Sequence, residues 1–102
     1  MPVLTITKDN FEKEVLGSEK KSLIDFFASW CGPCKMLSPT IEEIAKDHPE
    51  YIVGKVNIDE QPDLANKYRI MSVPTLVVFD KGQEVRRATG VAPKEALLGM
   101  LI

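Results

Sequence analysis

The fold is decided by the segment SLIDFFASWCGPCKM, residues 22–36, in which an apolar run leads directly into two cysteines three positions apart. The run is typical of a strand buried on both faces, and the residues from the cysteines onward have helical spacing. Cys31 and Cys34 are the chain's only cysteines, so any thiol chemistry must involve this pair. Two thiols on one helical turn can close to a disulfide and reopen without a large backbone movement. The segment therefore predicts a reversible redox pair.

The spacing of the two cysteines also fits half of a zinc site or a structural crosslink. A structural zinc site usually has four ligands, and beyond the cysteines the chain offers only His48 and carboxylates. A crosslink that closes so short a loop removes little entropy from the unfolded chain. The residues therefore favour a redox pair, and a zinc site and a structural crosslink remain as alternatives.

The position of the pair at the start of a helix gives the two thiols different expected roles. If the strand ends near Ser29 and the helix begins near Gly32, Cys31 lies beside backbone N–H groups that stabilise a thiolate. Cys34 follows one turn later, on the side expected to face the core, and Pro33 suits the first turn because it has no amide hydrogen. We therefore expect Cys31 to be the nucleophile and Cys34 the resolving thiol.

Length and charge limit the other possibilities. The chain has 102 residues, 44% of them hydrophobic, which predicts one domain, residues 1–102. Its 13 basic and 15 acidic residues are interspersed and give a net charge of -2, so nothing indicates binding to nucleic acid or to a membrane surface. No apolar run reaches the eighteen or so residues of a membrane span. Residues 1–6 lead into a strand pattern without the features of a signal peptide, which predicts a cytoplasmic location.

Hydrophobic periodicity predicts alternating strands and helices. The strand patterns are Val3–Ile6, Ser22–Ala28, Ile52–Ile58, Thr75–Phe79 and Glu84–Thr89, and the helical patterns are 9–16, a segment from Gly32, Pro62–Tyr68 and Pro93–Leu101. Asp9 and Glu12 resemble a capping box at the first helix, and residues 80–83 are typical of a tight hairpin. The order βαβαβαββα predicts an α/β fold with a central mixed five-stranded sheet, flanked by four helices on its two faces.

A series of landmarks along nearly the whole chain resembles the thioredoxin family. They are the strand that contains Asp25, the motif WCGPCK at 30–35, Pro39, residues 57–59, residues 73–75 and Gly90. The resemblance implies the thioredoxin fold and the activity of a general protein-disulfide reductase. It also implies a monomer without a bound cofactor, whose reversible Cys31–Cys34 disulfide serves client proteins and receives electrons from NADPH through thioredoxin reductase.

Asp25 is the most informative residue outside the cysteine pair. A carboxyl within this apolar strand is expected to be buried, and burial favours its protonated form, although an outward position in solvent is the alternative. The resemblance implies that Asp25 takes part in proton transfer to and from Cys34 through water. It also implies that Lys55 modulates this transfer as a nearby charge, whereas the residues alone equally allow a solvated lysine.

Residues 73–75 and their neighbours are the expected substrate-binding surface. The resemblance implies a cis bond between Val73 and Pro74 beside the cysteines, and in that geometry the Val73 backbone could pair with an extended client segment. The predicted apolar docking rim is Trp30, Val73, Pro74, Gly90 and Val91, and the other expected substrate-binding residues are Gly32, Pro33 and Thr75. The alternative is that Trp30 and Val91 are isolated exposed hydrophobic residues, which are common on protein surfaces.

Two other functions stay open from the residues alone. The first is a binding subunit that uses this fold as a scaffold, with redox turnover incidental; the intact set of redox residues argues against it. The second is a protein-disulfide oxidant or isomerase with a more oxidising couple. The Gly32–Pro33 pair and the missing signal-peptide features argue against that function.

Overall fold

The computed structural model describes residues 2–102, so Met1, the first residue of the predicted domain, lies outside the described residues. The strands are β1 Leu4–Thr5, β2 Ser22–Phe27, β3 Ile52–Asn57, β4 Thr75–Asp80 and β5 Gln83–Thr89. The helices are a π-helix at Glu12–Leu16, α1 Gly32–Asp47, α2 Pro62–Lys67 and α3 Lys94–Met100. This order confirms the predicted alternation, and the element ends differ from the predicted ones by a few residues at most.

The five strands form one mixed sheet in the order β1-β3-β2-β4-β5. Both β1 and β2 are parallel to β3, as connections that cross over through a helix require. β4 is antiparallel to its two neighbours, β2 and β5. The observed topology confirms the predicted α/β fold and places β2, the strand that precedes the cysteines, at the centre of the sheet.

Apolar side chains cover both faces of this sheet. One face packs against α1 and α3, and the other packs against the π-helix and α2. Because successive strand residues point to opposite faces, Leu23 and Asp25 point toward α1, whereas Ile24 and Phe26 point the other way. Asp25 therefore lies beneath the helix that carries the cysteines.

The start of the first helix differs from the prediction. No side chain caps this π-helix, so the predicted capping box of Asp9 and Glu12 is wrong. Instead the side-chain oxygen of Asn10 accepts a hydrogen bond from the Thr7 N–H at 2.8 Å and closes the preceding turn. The Gly17 N–H then donates to the Glu12 carbonyl, five residues earlier, which gives the wider π-type turn.

The tight hairpin predicted between the last two strands is confirmed. Asp80 pairs with Gln83 across the turn, and Lys81 and Gly82 have φ angles of 52° and 80°. Two successive positive φ angles are typical of a type I′ turn, whose twist matches that of the strands it joins. Within residues 2–102, no helix is both long and apolar enough to cross a membrane.

Gly54, in β3, should not tolerate a side chain. A Cβ there would lie 2.6 Å from Ile6 Cγ1 and 3.3 Å from Ile24 Cδ1, in the closed core. We expect Gly54→Ala to lower the free energy of unfolding by about 1–3 kcal/mol, the usual cost of overpacking. Gly99→Ala is the matched control, since nothing lies within 4 Å of its added Cβ in α3 and alanine favours a helix by about 0.5–1 kcal/mol. Urea unfolding measures both, and equal stabilities would contradict the expectation.

Candidate active site

The two cysteines lie where β2 gives way to α1. Cys31 is the N-cap of α1, and Cys34 lies in its first turn, with Pro33 between them at the helix start. The pair forms a disulfide with a Cα–Cα distance of 5.3 Å. The Cys34 N–H donates a hydrogen bond to the Cys31 Sγ at 3.1 Å. The structure therefore places the Cys31 sulfur at the positive end of a helix, as the sequence predicts.

Both cysteines are buried in this disulfide form. Each side chain is only 4% exposed, in a cluster with Ala28, against which Phe27, Ile58 and Val73 pack. Only Cys34 was expected to face the core, but the Val73 segment covers Cys31 as well, and the Val73 carbonyl oxygen lies 3.8 Å from the Cys31 Sγ. The Val73 segment therefore lies directly against the Cys31 sulfur.

Asp25 is almost fully buried, at 1% exposure, which agrees with the expected burial rather than the solvent-facing alternative. Burial raises the pKa of the Asp25 carboxyl from 3.8 to about 6, and the Lys55 ammonium opposes part of this rise. The Asp25 Oδ1 has no hydrogen-bond partner among the described residues. The carboxyl can therefore gain or lose a proton close to neutral pH, which an ordinary aspartate cannot do.

A cleft of about 250 Å³ is lined by both Asp25 and Cys34. The residues that line it are Asp25, Phe27, Ala28, Ser29, Cys34, Lys35, Ser38 and Lys55. The cleft has room for several water molecules beside the Asp25 carboxyl.

Lys55 lies opposite Asp25 in the ladder between β2 and β3 and is partly buried. Its Nζ donates a hydrogen bond to the Ser38 Oγ at 2.6 Å and lies 5.7 Å from the centroid of the Phe27 ring. No ion pair between Lys55 and Asp25 is present within residues 2–102. Lys55 is thus close enough to influence Asp25 without neutralising it.

The residues of the predicted docking rim differ in their exposure around the cysteines. Trp30 is 69% exposed and Val91 is 50% exposed, and the Val73–Pro74 bond is cis, as the resemblance implies. Pro74 itself is buried, immediately before the covered strand β4. Thr75 is also buried, and its hydroxyl donates a hydrogen bond to the Ser72 carbonyl at 2.7 Å.

The remaining expected binding residues are placed by backbone geometry. Gly90 has a φ of 89°, which favours glycine, and its N–H donates to the Pro74 carbonyl at 2.9 Å. This bond fixes the segment that carries Val91 beside the cis bond. Gly32 and Pro33 are exposed at the start of α1, next to Cys31.

Two side chains that support the site were not assigned to it from the sequence. The Trp30 Nε1 donates a hydrogen bond to the Asp59 Oδ2 at 3.0 Å, so Asp59 orients the indole. Ser38 holds Lys55, and its position four residues after Cys34, on the same helix face, is the signal that could have identified it. Within residues 2–102, no three metal-ligating side chains come together, and His48 instead contacts Glu50 at 3.0 Å.

Comparisons with known proteins agree over almost the full chain. A family model described as Thioredoxin matches residues 2–102. The thioredoxin of Alicyclobacillus acidocaldarius subsp. acidocaldarius is 42% identical over 99 residues, which cover 96% of this chain and 93% of that protein. The bifunctional thioredoxin reductase/thioredoxin of Mycobacterium leprae (strain TN) is 42% identical over 96 residues, which cover 93% of this chain and 21% of that protein. The solved structure of Malassezia sympodialis thioredoxin gives a TM-score of 0.86 at 36% identity, covering 96% of this chain and 87% of that chain.

Proposed function

The chain belongs to the thioredoxin family and is a protein-disulfide reductase, and we propose that Cys31 attacks the client disulfide and Cys34 resolves the intermediate. The Cys31 thiolate forms a bond to one client sulfur, and the other client sulfur leaves as a thiolate and takes up a proton. The Cys34 thiolate then attacks the Cys31 Sγ and releases the first client sulfur. Two electrons pass to the client, and the chain is left as the Cys31–Cys34 disulfide.

The observation that carries this assignment is the hydrogen bond from the Cys34 N–H to the Cys31 Sγ. An N–H donor and the positive end of α1 both stabilise a negative sulfur at position 31, and they favour its ionisation over that of Cys34. Cys34 lies inside the helix, behind Cys31, so it meets a client only after Cys31 has bound it.

Asp25 supplies and accepts the proton that the resolving step requires. The Cys34 thiol must lose a proton before it can attack, and the Asp25 carboxylate can take that proton through a water in the cleft. The raised pKa of Asp25 supports this role, because a base with a pKa of about 6 can accept and return protons near neutral pH. Lys55 tunes this exchange through its charge.

Client docking uses the edge formed by the Val73 backbone. An extended client segment that pairs with this backbone, as in strand addition, brings its disulfide next to Cys31. The exposed Trp30 and Val91 provide apolar contact on either side. Gly32 and Gly90 allow the client to approach closely because they are small, and Pro33 does so because it lacks an amide hydrogen. Buried Pro74 and Thr75 hold this edge in place from below.

Electrons return to the disulfide from NADPH through a thioredoxin reductase. The bifunctional relative from Mycobacterium leprae supports this partnership, since its name combines the two activities in one protein. A coupled assay tests it: NADPH, a bacterial thioredoxin reductase and insulin should show NADPH consumption that depends on this chain. Protein alkylated at both thiols is the control and should show none. A reaction that proceeds equally well with the alkylated protein, or not at all with the native one, would contradict the proposed function.

A cytoplasmic location and a monomeric state complete the proposal. A disulfide reductase needs a steady supply of reducing equivalents, which the cytoplasm provides. The chain buries an apolar core on both faces of its own sheet, so folding does not require a partner subunit. Cell fractionation and sedimentation equilibrium test the two statements, and membrane-bound protein or a stable dimer would contradict them.

A further inference from the structure

We propose that Ser38 is a positioning residue of the redox site, whose hydroxyl holds the Lys55 ammonium away from the Asp25 carboxyl and so preserves proton exchange between Asp25 and Cys34. This inference rests on the proton-transfer role proposed above for Asp25. It adds a residue that neither the cysteine motif nor the landmarks in the sequence include.

The geometry gives Ser38 a direct place in the cleft. Ser38 follows Cys34 by four residues on α1, so both side chains lie on the helix face that lines the cleft. The hydrogen bond from the Lys55 Nζ to the Ser38 Oγ, at 2.6 Å, has a charged donor and is therefore of the stronger kind. Lys55 also lies directly opposite Asp25 across the β2–β3 ladder, so its flexible side chain can reach either residue.

The Asp25 carboxyl is an alternative acceptor for the same ammonium. Its Oδ1 is buried without a hydrogen-bond partner among the described residues. An ammonium that loses one acceptor in a partly buried site gains free energy by finding another. Without the Ser38 hydroxyl, the Lys55 Nζ should therefore turn toward Asp25 and form an ion pair with it. An adjacent positive charge commonly lowers a carboxyl pKa by about 1–3 units.

Few other charges act on Asp25. The other titratable groups that line the cleft are Cys34 and Lys35, both from α1. β4, the neighbour of β2 on its other side, places the apolar Leu76 opposite Asp25. In the oxidised protein Cys34 carries no titrating thiol, so the pKa of Asp25 then depends first on its burial and second on the Lys55 charge.

The test is a pH titration of the Asp25 carboxyl by carbon-13 NMR, in the oxidised wild type and in Ser38→Ala. The titration midpoint should fall by about one pH unit or more in Ser38→Ala. Ser38→Thr keeps the hydroxyl and should retain the wild-type midpoint. Ser29→Ala is the matched control, because this serine also lines the cleft but its Oγ accepts from Asn57 rather than from Lys55.

A second pair of variants, both carrying Lys55→Met, distinguishes a midpoint shift caused by the Lys55 ammonium from one caused by added water. Removing a hydroxyl also admits water, which would lower the midpoint without any movement of Lys55. In Lys55→Met the Ser38→Ala change should therefore shift the midpoint little. A shift of equal size in both backgrounds, or an unchanged midpoint in Ser38→Ala, would overturn the proposal.

Measuring the pH dependence of turnover distinguishes the role of Ser38 from the proton-transfer role of Asp25 on which it rests. If Ser38 positions Lys55 and Asp25 transfers the proton, the pH–rate profile for insulin reduction should move to lower pH together with the midpoint in Ser38→Ala. A moved midpoint with an unmoved profile supports the position of Lys55 but contradicts the role of Asp25. An unmoved midpoint overturns the role of Ser38 whatever the rate.

Discussion

The Cys34→Ser variant should stop after the first chemical step and accumulate a covalent complex with its client through Cys31. In the native protein the resolving thiol is held one helical turn away, at a Cα–Cα distance of 5.3 Å that allows the disulfide to form. Effective concentrations of well-oriented intramolecular groups can reach about 10⁵ M, whereas an external thiol acts at millimolar concentration, so even a small part of this advantage of up to about 10⁸-fold is a large change in rate. Release of the client should therefore slow by more than about 10³-fold in Cys34→Ser.

Mass spectrometry of the variant mixed with oxidised insulin measures this complex. Cys31→Ser is the matched control, with the same atom changed at the other position, and should form no complex because its remaining thiol lies behind the helix start. A complex formed through Cys34 in the Cys31→Ser variant would reverse the two assignments. Loss of complexes in both variants would instead favour the scaffold function.

The trapped complex also tests the docking edge. If a client segment pairs with the Val73 backbone, hydrogen exchange at the Val73 amide should slow when the complex forms. Exchange at the amides of β1, which lies at the opposite edge of the sheet from β4 and β5, should stay unchanged. Unchanged exchange at Val73 would show that clients reach Cys31 by another route.

The features predicted from the sequence depend mainly on local patterns. The segment of residues 22–27 marks a covered strand because four of its six residues are large and apolar and lie on both faces of the strand. Lys81 and Gly82 predict their turn because a two-residue hairpin requires positive φ angles. The N-cap position of Cys31 follows from the end of this strand and from Pro33, which marks the first turn of the next helix. Each of these needs only a few neighbouring residues.

The features that were missed depend on contacts between distant segments. Ser38 becomes part of the site only because β3 brings Lys55 to it, and Asp59 only because its loop meets the Trp30 indole. The burial of Cys31 likewise depends on Val73, which lies 42 residues further along the chain. The π-type turn at Gly17 was missed for a local reason. The Gly17 N–H donates to the carbonyl five residues earlier rather than four, and the side-chain pattern does not distinguish these two acceptors.

Replacing Asp25 by asparagine should stabilise the folded protein at neutral and alkaline pH. The carboxyl has a pKa of 3.8 in its ordinary state and about 6 when folded, because burial disfavours the charged form. Below pH 3.8 it is protonated in both the folded and the unfolded chain and costs nothing. As the pH rises toward 6, the unfolded chain releases the proton first, and stability falls until the folded carboxyl has also ionised.

The size of this loss follows from the shift in pKa. A shift of about two units corresponds to about 3 kcal/mol of lost stability above pH 7. Asparagine has nearly the shape of the protonated acid and does not ionise, so Asp25→Asn should be more stable than the wild type by about this amount at pH 8, with little difference at pH 3. Urea unfolding across this range measures it. Asp9→Asn, at an exposed carboxylate, is the control and should retain the wild-type pH dependence.

The same substitution should weaken catalysis while it strengthens the fold. Without an ionisable group in the cleft, the Cys34 thiol must lose its proton to bulk water. General acid–base groups usually contribute about 10²–10⁴-fold, and a group that acts through water belongs near the lower end, so turnover should fall by about 10²-fold. A variant that is more stable but slower would show that the buried carboxyl lowers stability and is needed for the reaction. A variant that gains stability and keeps its rate would show that the burial of Asp25 serves no proton transfer.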